Sequence, residues 1–268
     1  SRGRAYRMKG YEIPESSRSG KGINIVNLLP LEQGEKITAA IKADSFDEQS
    51  YLCMVTKRGV AKRISLSAFR NIRKAGLIAV SLDEGDELGW VRMTRGDEDL
   101  IIATRQGRAI RFGEQEVREM GRNARGVRAI RLAQEDEVVG MARVRPGSCL
   151  LTVSESGQGR RTPIDDYPLH SRGGLGVLNY YTGKNGPVAG IKSVDETDEI
   201  FLISDDGIII RINAADIAVQ SRYGGGVRVM RLAEGSKVVT LARAPAGEAD
   251  EEDESDEERE EDLPSDEE

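Results

Sequence analysis

The chain has 268 residues, of which 38% are hydrophobic and 4% aromatic. That is thin for one thick core and suits an array of small units that share cores with their neighbours. No apolar run approaches the roughly 20 residues that a membrane helix needs, and the opening SRGRAYRMKG lacks the apolar stretch of a signal peptide. The two cysteines, Cys53 and Cys149, make neither a disulfide framework nor a metal site, which fits a reducing cytoplasm. The net charge of −7 hides two opposed parts. Residues 248–268 hold 15 Asp/Glu and one Arg, a net −14, which leaves +7 on the other 247 residues. A basic body with an acidic tail points to a polyanionic partner and a segment that competes with it.

In chain order, a tight turn comes first, with Gly3 and then Arg7 four residues on. A basic glycine loop follows, RSGKGINIVNLL from Arg18. The same two features return along the chain. The glycine loop recurs as RKAGLIAVSL from Arg73, GRNARGVRAIRL from Gly121, SRGGLGVLNYY from Ser171 and SRYGGGVRVMRL from Ser221. Its strand-opening glycines are Gly22, Gly76, Gly126, Gly176 and Gly226, spaced by 54, 50, 50 and 50 residues. Such a regular period means one supersecondary unit copied along the chain. The tight-turn glycines are Gly3, Gly59, Gly107, Gly157 and Gly207. Each has an arginine four residues later: Arg7, Arg63, Arg111, Arg161 and Arg211.

Within a unit the loop runs into a strand of period two, such as Val127–Leu132. An acidic turn comes next (EQGEK 32–36, DEGDE 83–87, AQEDE 133–137, AEGSK 233–237), and the fourth unit departs from it with TGKNGP at 182–187. A second short strand follows, such as Val138–Ala142, and then a third, such as Asp99–Thr104, that enters the tight turn. Each unit is therefore about four consecutive short strands. SLSAF at 65–69 and GEQEVREMG at 113–121 leave room for a turn or two of helix. Units of this size are those of propeller blades, with about five represented; a straight solenoid usually has shorter rungs. The strand-opening glycine precedes the tight-turn glycine by 31 residues in three units, so Gly3 is expected to belong to a blade entered midway, in a longer parent. Residues 246–268 are expected to be disordered.

These repeats resemble the C-terminal DNA-wrapping domain of DNA gyrase A, a six-bladed β-pinwheel. KGINIVNLLPLEQGEKITA at 21–39, MGRNARGVRAIRL at 120–132 and GQGRRTPIDDYP at 157–168 carry the resemblance, which covers about residues 1–245. The acidic tail is also gyrase-like. The resemblance implies an all-β disc of four-stranded blades that bends duplex DNA and supports ATP-dependent negative supercoiling by a type IIA topoisomerase. It implies partners in the N-terminal region of gyrase A and in gyrase B, within an A2B2 complex. It implies no cofactor in this segment, with ATP and Mg2+ used by other domains or partners, and a place in the bacterial cytoplasm on the chromosome, with no membrane. The family's basic heptapeptide QRRGGKG has no full match. HSRGGLG at 170–176 and SSRSGKG at 16–22 are its nearest, degenerate copies. The alternatives are the equivalent domain of topoisomerase IV, or a propeller-like module whose basic loops grip an acidic protein.

Arginine grips phosphate through its planar fork, and glycine lets a backbone approach phosphate closely. The loops thus nominate Arg18, Lys21, Arg70, Arg73, Lys74, Arg122, Arg125, Arg172 and Arg222 as DNA contacts. For the arginine four past each turn glycine, pairing with a neighbour's acidic turn and phosphate contact are both open. A second basic residue beside it favours DNA at Lys62-Arg63 and Arg160-Arg161. Trp90 and Phe112 read as core fillers. The single histidine, His170, has no recurring carboxylate or nucleophile partner, and Asp83-Glu84, Asp86-Glu87 and Asp165-Asp166 read as solvated turn carboxylates rather than acid/base pairs. No P-loop is present.

Overall fold

A computed structural model describes residues 1–17 and 20–244. The chain is all-β. In order, its strands are β1 (Arg4–Ala5), β2 (Tyr51–Thr56), β3 (Val60–Ser65), β4 (Leu77–Ile78), β5 (Leu88–Thr94), β6 (Asp99–Thr104), β7 (Arg108–Gly113), β8 (Val127–Arg128) and β9 (Val138–Arg143). They continue as β10 (Cys149–Ser154), β11 (Gln158–Pro163), β12 (Val177–Leu178), β13 (Val188–Val194), β14 (Glu199–Ser204), β15 (Ile209–Asn213), β16 (Val227–Arg228) and β17 (Val238–Ala244). Short 3-10 turns follow β3, β7, β11 and β15, and an α-turn, α1 (Thr182–Asn185), occupies the place where the fourth unit departs from the acidic pattern.

Each hairpin is dictated locally. A hydroxyl residue ends its first strand and a glycine sits three residues on: Thr56 and Gly59, Thr104 and Gly107, Ser154 and Gly157. The hydroxyl oxygen accepts the N–H of the residue after the glycine, at 3.2 Å in all three. The glycine takes positive φ, 77° at Gly59 and 85° at Gly107, as a tight hairpin turn requires. Just before that hydroxyl, and before Ser204, the first hairpin strand shifts register against its other neighbour (β5, β9, β13 or β17), between Val55 and Thr56, Ala103 and Thr104, Val153 and Ser154, and Ile203 and Ser204.

The chain forms two compact units. Among the described residues, the first comprises Ser1–Val144 and Tyr167–Asn179, and the second Arg145–Asp166 and the stretch from Tyr180 to residue 244. The first holds sheets in the order β5-β2-β3-β8 and β12-β7-β6-β9, and the pair β1-β4. The second holds β13-β10-β11-β16 and the three-stranded β15-β14-β17.

These sheets correct the expectation of four consecutive strands per blade. The hairpin and the strand after the acidic turn are near neighbours in sequence, but the outermost strand is lent from further along. β8 lies on β3 with Ala61 opposite Val127, β12 on β7 with Ala109 opposite Val177, and β16 on β11 with Gly159 opposite Val227. The strand expected over Val127–Leu132 is paired over Val127–Arg128 alone. The repeat after Gly22 also departs from expectation. Residues 20–50 carry no strand, only a 3-10 turn at Ile25–Asn27, and Ile23 and Val26 are each 54% exposed. The lent strands exist through their pairing, and no hairpin strand among the described residues pairs with this stretch.

Thin cores fill the layers. In the first unit Leu100, Ile102, Ile110, Phe112, Ile130 and Met141 pack with Val55 and Ala61, and Trp90 packs partly buried against them. In the second, Leu151, Val153, Ile200, Leu202, Met230 and Leu241 do the same. Trp90 and Phe112 are core residues, as the sequence suggested.

Candidate nucleic-acid interface

The glycine loops are built from beneath by the hairpin strand that receives the lent strand. The residue four past the turn glycine anchors the approach to the loop. Its carbonyl accepts a backbone N–H: Met120 to Arg63 O at 3.0 Å, His170 to Arg111 O at 2.8 Å, Gln220 to Arg161 O at 2.8 Å. Its guanidinium donates to a carbonyl three residues earlier on the same approach: Arg63 Nε to Val117 O at 2.9 Å, Arg111 Nη1 to Tyr167 O at 3.3 Å, Arg161 Nε to Ile217 O at 2.8 Å. Carboxylates complete the shell. Arg111 meets Asp99 at 2.9 Å, Arg211 meets Glu199 at 2.6 Å, and Arg161 meets Glu196 at 3.6 Å. The acidic turns serve elsewhere: Asp86 and Asp136 accept the N–H groups of Arg58 and Gln106 in the hairpin turns at 3.1 and 2.9 Å.

This geometry corrects the preference for DNA at the two basic pairs. Lys62 is 1% exposed, Arg160 0% and Arg161 4%. The Lys62 ammonium donates to Ala79 O at 2.6 Å, Arg122 O at 2.5 Å and Ala124 O at 3.0 Å. The Arg160 guanidinium donates to Arg222 O at 2.7 Å and Gly224 O at 3.2 Å, over the Tyr180 ring at 5.1 Å. Arg63 lies over the Tyr51 ring at 4.6 Å, beside the buried Glu114 carboxylate at 3.8 Å. The side chains of both pairs are thus engaged by partners within the fold, with Arg63 the one left half-buried. Burial pushes the Lys62 ammonium down to about 8.

The other nominated residues divide by what they already hold. Lys21, Arg73, Lys74 and Arg122 are exposed. Arg70 is exposed and donates to Phe46 O at 3.0 Å. Arg125, 75% exposed, pairs with Asp83 at 3.1 Å. Arg172 folds back on Glu116 O at 2.8 Å and Arg128 O at 3.0 Å. Arg222 lies over the Tyr223 ring at 5.2 Å. Arg18, like the acidic tail, falls outside the described residues. Sequence reasoning missed the exposed arginines Arg128 and Arg131 after the third glycine loop, and Arg228 and Arg231 after the last. Their signal was the alternation of basic and apolar residues in VRAIRL and VRVMRL. Arg228 and Arg231 line one open depression with Gln158, Val229 and Met230.

Among the described residues no group of three or more His, Cys, Asp or Glu could hold a metal ion, and no helix is long and apolar enough to cross a membrane. His170 is exposed. Cys53 is 2% exposed, a core residue, and burial pushes its thiol up to about 12.

An all-β domain of propeller type, with basic glycine loops repeated at a fixed period, is the class that fold and loops define. The model of the family described as DNA gyrase C-terminal domain, beta-propeller, matches residues 1–44, 50–94, 98–145, 150–195 and 198–245, and the chain belongs to that family. It is 45% identical over 244 residues to the DNA gyrase A subunit of Clostridium acetobutylicum, covering 91% of this chain. It is 43% identical over 253 residues to that of Salmonella typhimurium, covering 94%. The chain spans 29% of the length of each relative. A solved DNA gyrase A C-terminal domain superposes with a TM-score of 0.78 at 28% identity, covering 90% of this chain and 79% of that one. The C-terminal domain of a DNA topoisomerase IV shares the fold, with a TM-score of 0.86 at 23% identity, covering 97% and 81%.

Proposed function

We propose that this domain binds duplex DNA through its basic glycine loops and bends it, as the DNA-wrapping part of a gyrase A protein. The observation that carries the reading is the exposure of Arg73, Lys74 and Arg122 on loops one period apart, with Arg128, Arg131, Arg228 and Arg231 exposed on the stretches that follow two of the loops. Membership of the gyrase family supports it. Cations on successive glycine loops recognise phosphate rather than base edges, so binding carries little sequence preference. Bending a site of 20–30 base pairs costs about 1–6 kcal/mol, which several phosphate contacts offset.

In the parent enzyme, the wrapped segment would be presented to the strand-passage machinery formed with the rest of gyrase A and with gyrase B. That machinery would use ATP and Mg2+ held by other domains, in the bacterial cytoplasm and on the chromosome. The test is retention of linear duplexes of about 40 and 150 base pairs across a salt series, the longer matching roughly one persistence length. Tight, steeply salt-dependent binding that favours the longer duplex is expected. Equal weak binding to both at low salt refutes the reading and leaves a protein partner for the loops.

A further inference from the structure

We infer that Lys62 and Arg160 are positioning residues for the DNA-contacting loops, each a buried cation that fixes the loop arginine from beneath. The inference rests on the DNA-binding reading above and adds residues that touch no DNA.

The two side chains stand at the same place in their repeats, three residues past Gly59 and three past Gly157. They grip the same two carbonyls of their loops. Lys62 takes the second and fourth residues of the loop at 121–126, Arg122 O at 2.5 Å and Ala124 O at 3.0 Å. Arg160 takes the second and fourth of the loop at 221–226, Arg222 O at 2.7 Å and Gly224 O at 3.2 Å. Lysine and arginine thus perform one task with different donors. In both loops the second residue is the arginine nominated for phosphate. Holding its carbonyl inward fixes the origin of its side chain and turns the negative end of the peptide dipole away from an approaching phosphate.

The first unit contains its own control. Three residues past Gly107 stands Ile110, which is buried and offers no donor. The loop above it, 171–176, is held by backbone bonds, Arg131 N–H to Gly174 O at 2.8 Å and Gly173 N–H to Ala129 O at 2.6 Å. Its arginine, Arg172, is itself used as a fastener on Glu116 O and Arg128 O. Where the buried cation is Lys62, Arg122 stays exposed, and where it is Arg160, Arg222 is half-buried and lies over the Tyr223 ring at 5.2 Å. The groups facing the Lys62 ammonium are carbonyl oxygens from the stretch after β4 and from the loop. The charged side chains on the surrounding elements are Arg63, directed to Val117 O and Glu114, the exposed Arg122 and Arg128, and Arg125 with its partner Asp83.

The experiment uses the full chain with an approximately 40-base-pair duplex and compares K62R, K62M, R160K and R160M. Each methionine variant should weaken binding about tenfold and lower the log affinity against log salt slope by about one, the signature of one lost phosphate contact. K62R and R160K should preserve both, since each installs the donor that the sister repeat already uses. A second readout is pH. Lys62 is held near 8, below the ordinary lysine value of 10.5. Between those values the unfolded chain binds more protons, so this group makes folding stability rise with pH. The same deprotonation weakens its hold on the loop. From about pH 7.5 to 9.5 the wild type should therefore lose DNA affinity relative to K62R while its melting temperature does not fall relative to K62R. Folded methionine variants with an unchanged salt slope overturn the inference. If K62M does not fold, identical pH profiles for wild type and K62R overturn it. A wild type that fails to retain DNA at low salt overturns the DNA reading instead, and faster amide exchange at 121–126 in K62M than in K62R would then still support the clamp.

Discussion

Gly126 runs so close to Ala61 that a Cβ built on it would stand 2.5 Å from the Ala61 carbonyl oxygen, with φ at 111°. This is the point where the lent strand β8 meets β3, so the strand-opening glycine is required by the partner hairpin as well as by its own backbone. Gly22 occupies the same place in its repeat, also at positive φ, yet a methyl added there would meet nothing within 4 Å. Gly126→Ala should therefore destabilise the fold by more than about 2 kcal/mol, combining strain with a backbone clash. Gly22→Ala should cost about 1 kcal/mol from its left-handed backbone alone. Denaturant midpoints of the two variants test this; equal losses would remove the steric argument.

Exposed and buried basic residues should separate cleanly by assay. Arg73→Ala combined with Lys74→Ala should lower DNA affinity and reduce the salt slope by about two, with stability within about 0.5 kcal/mol of the parent. Arg111→Met should behave in the opposite way. Its guanidinium joins Asp99 to the approach at Tyr167, with side-chain exposures of 18% and 25% for the ion pair. Its loss should cost about 1–3 kcal/mol of stability. Salt titration of duplex binding and urea unfolding on both proteins check the division. A large affinity loss in a fully folded Arg111→Met would contradict it.

The period, the all-β class and the tight turns were legible because they are local: Thr56 and Gly59, or Thr104 and Gly107, fix a hairpin within four residues. The lending of β8 to β3 was not, since Val127 and Ala61 are distant in sequence and a two-residue strand leaves almost no pattern. The exposed loop cations Arg73, Lys74 and Arg122 were readable from glycine chemistry. Lys62-Arg63 and Arg160-Arg161 misled because two adjacent basic residues resemble a phosphate grip, whereas here Lys62, Arg160 and Arg161 are buried in the fold. A buried cation that binds carbonyls has the same letter as one that binds phosphate. Only the number of available acceptors distinguishes them, and sequence does not show it.

Asp198 should govern the acid limit of the second unit. Burial would raise its carboxyl, but the Asp195 N–H and the guanidinium groups of Arg145 and Arg243 outweigh that and hold it below its usual value. The ion pairs measure 3.2 Å to Arg145 and 2.9 Å to Arg243. A depressed carboxylate stabilises the fold above its unfolded value, near about 4, and that contribution disappears as pH falls through the lower folded value. Asp198→Asn should therefore cost about 2 kcal/mol at neutral pH, discounted for the half-open arginines. The gap from wild type should shrink below about pH 4. Urea midpoints at about pH 7, 4 and 3 test it; a gap that persists undiminished at the lowest pH would show that the aspartate acts through shape and not charge.

The acidic tail offers a last prediction from charge alone. Residues 248–268 carry −14 against +7 on the remainder. Tethered negative charge competes with DNA for the same cations at an effective concentration set by the short linkage. Removing the tail should raise DNA affinity most at low salt, and the advantage should fade as salt screens both competitors. A tail displaced by DNA takes counterions back up, which reduces the net release on binding, so the shortened chain should also show a steeper salt slope. Parallel titrations of the full chain and the chain ending at Gly247 check both effects. Unchanged affinity at low salt would mean that the tail does not reach the loops at all.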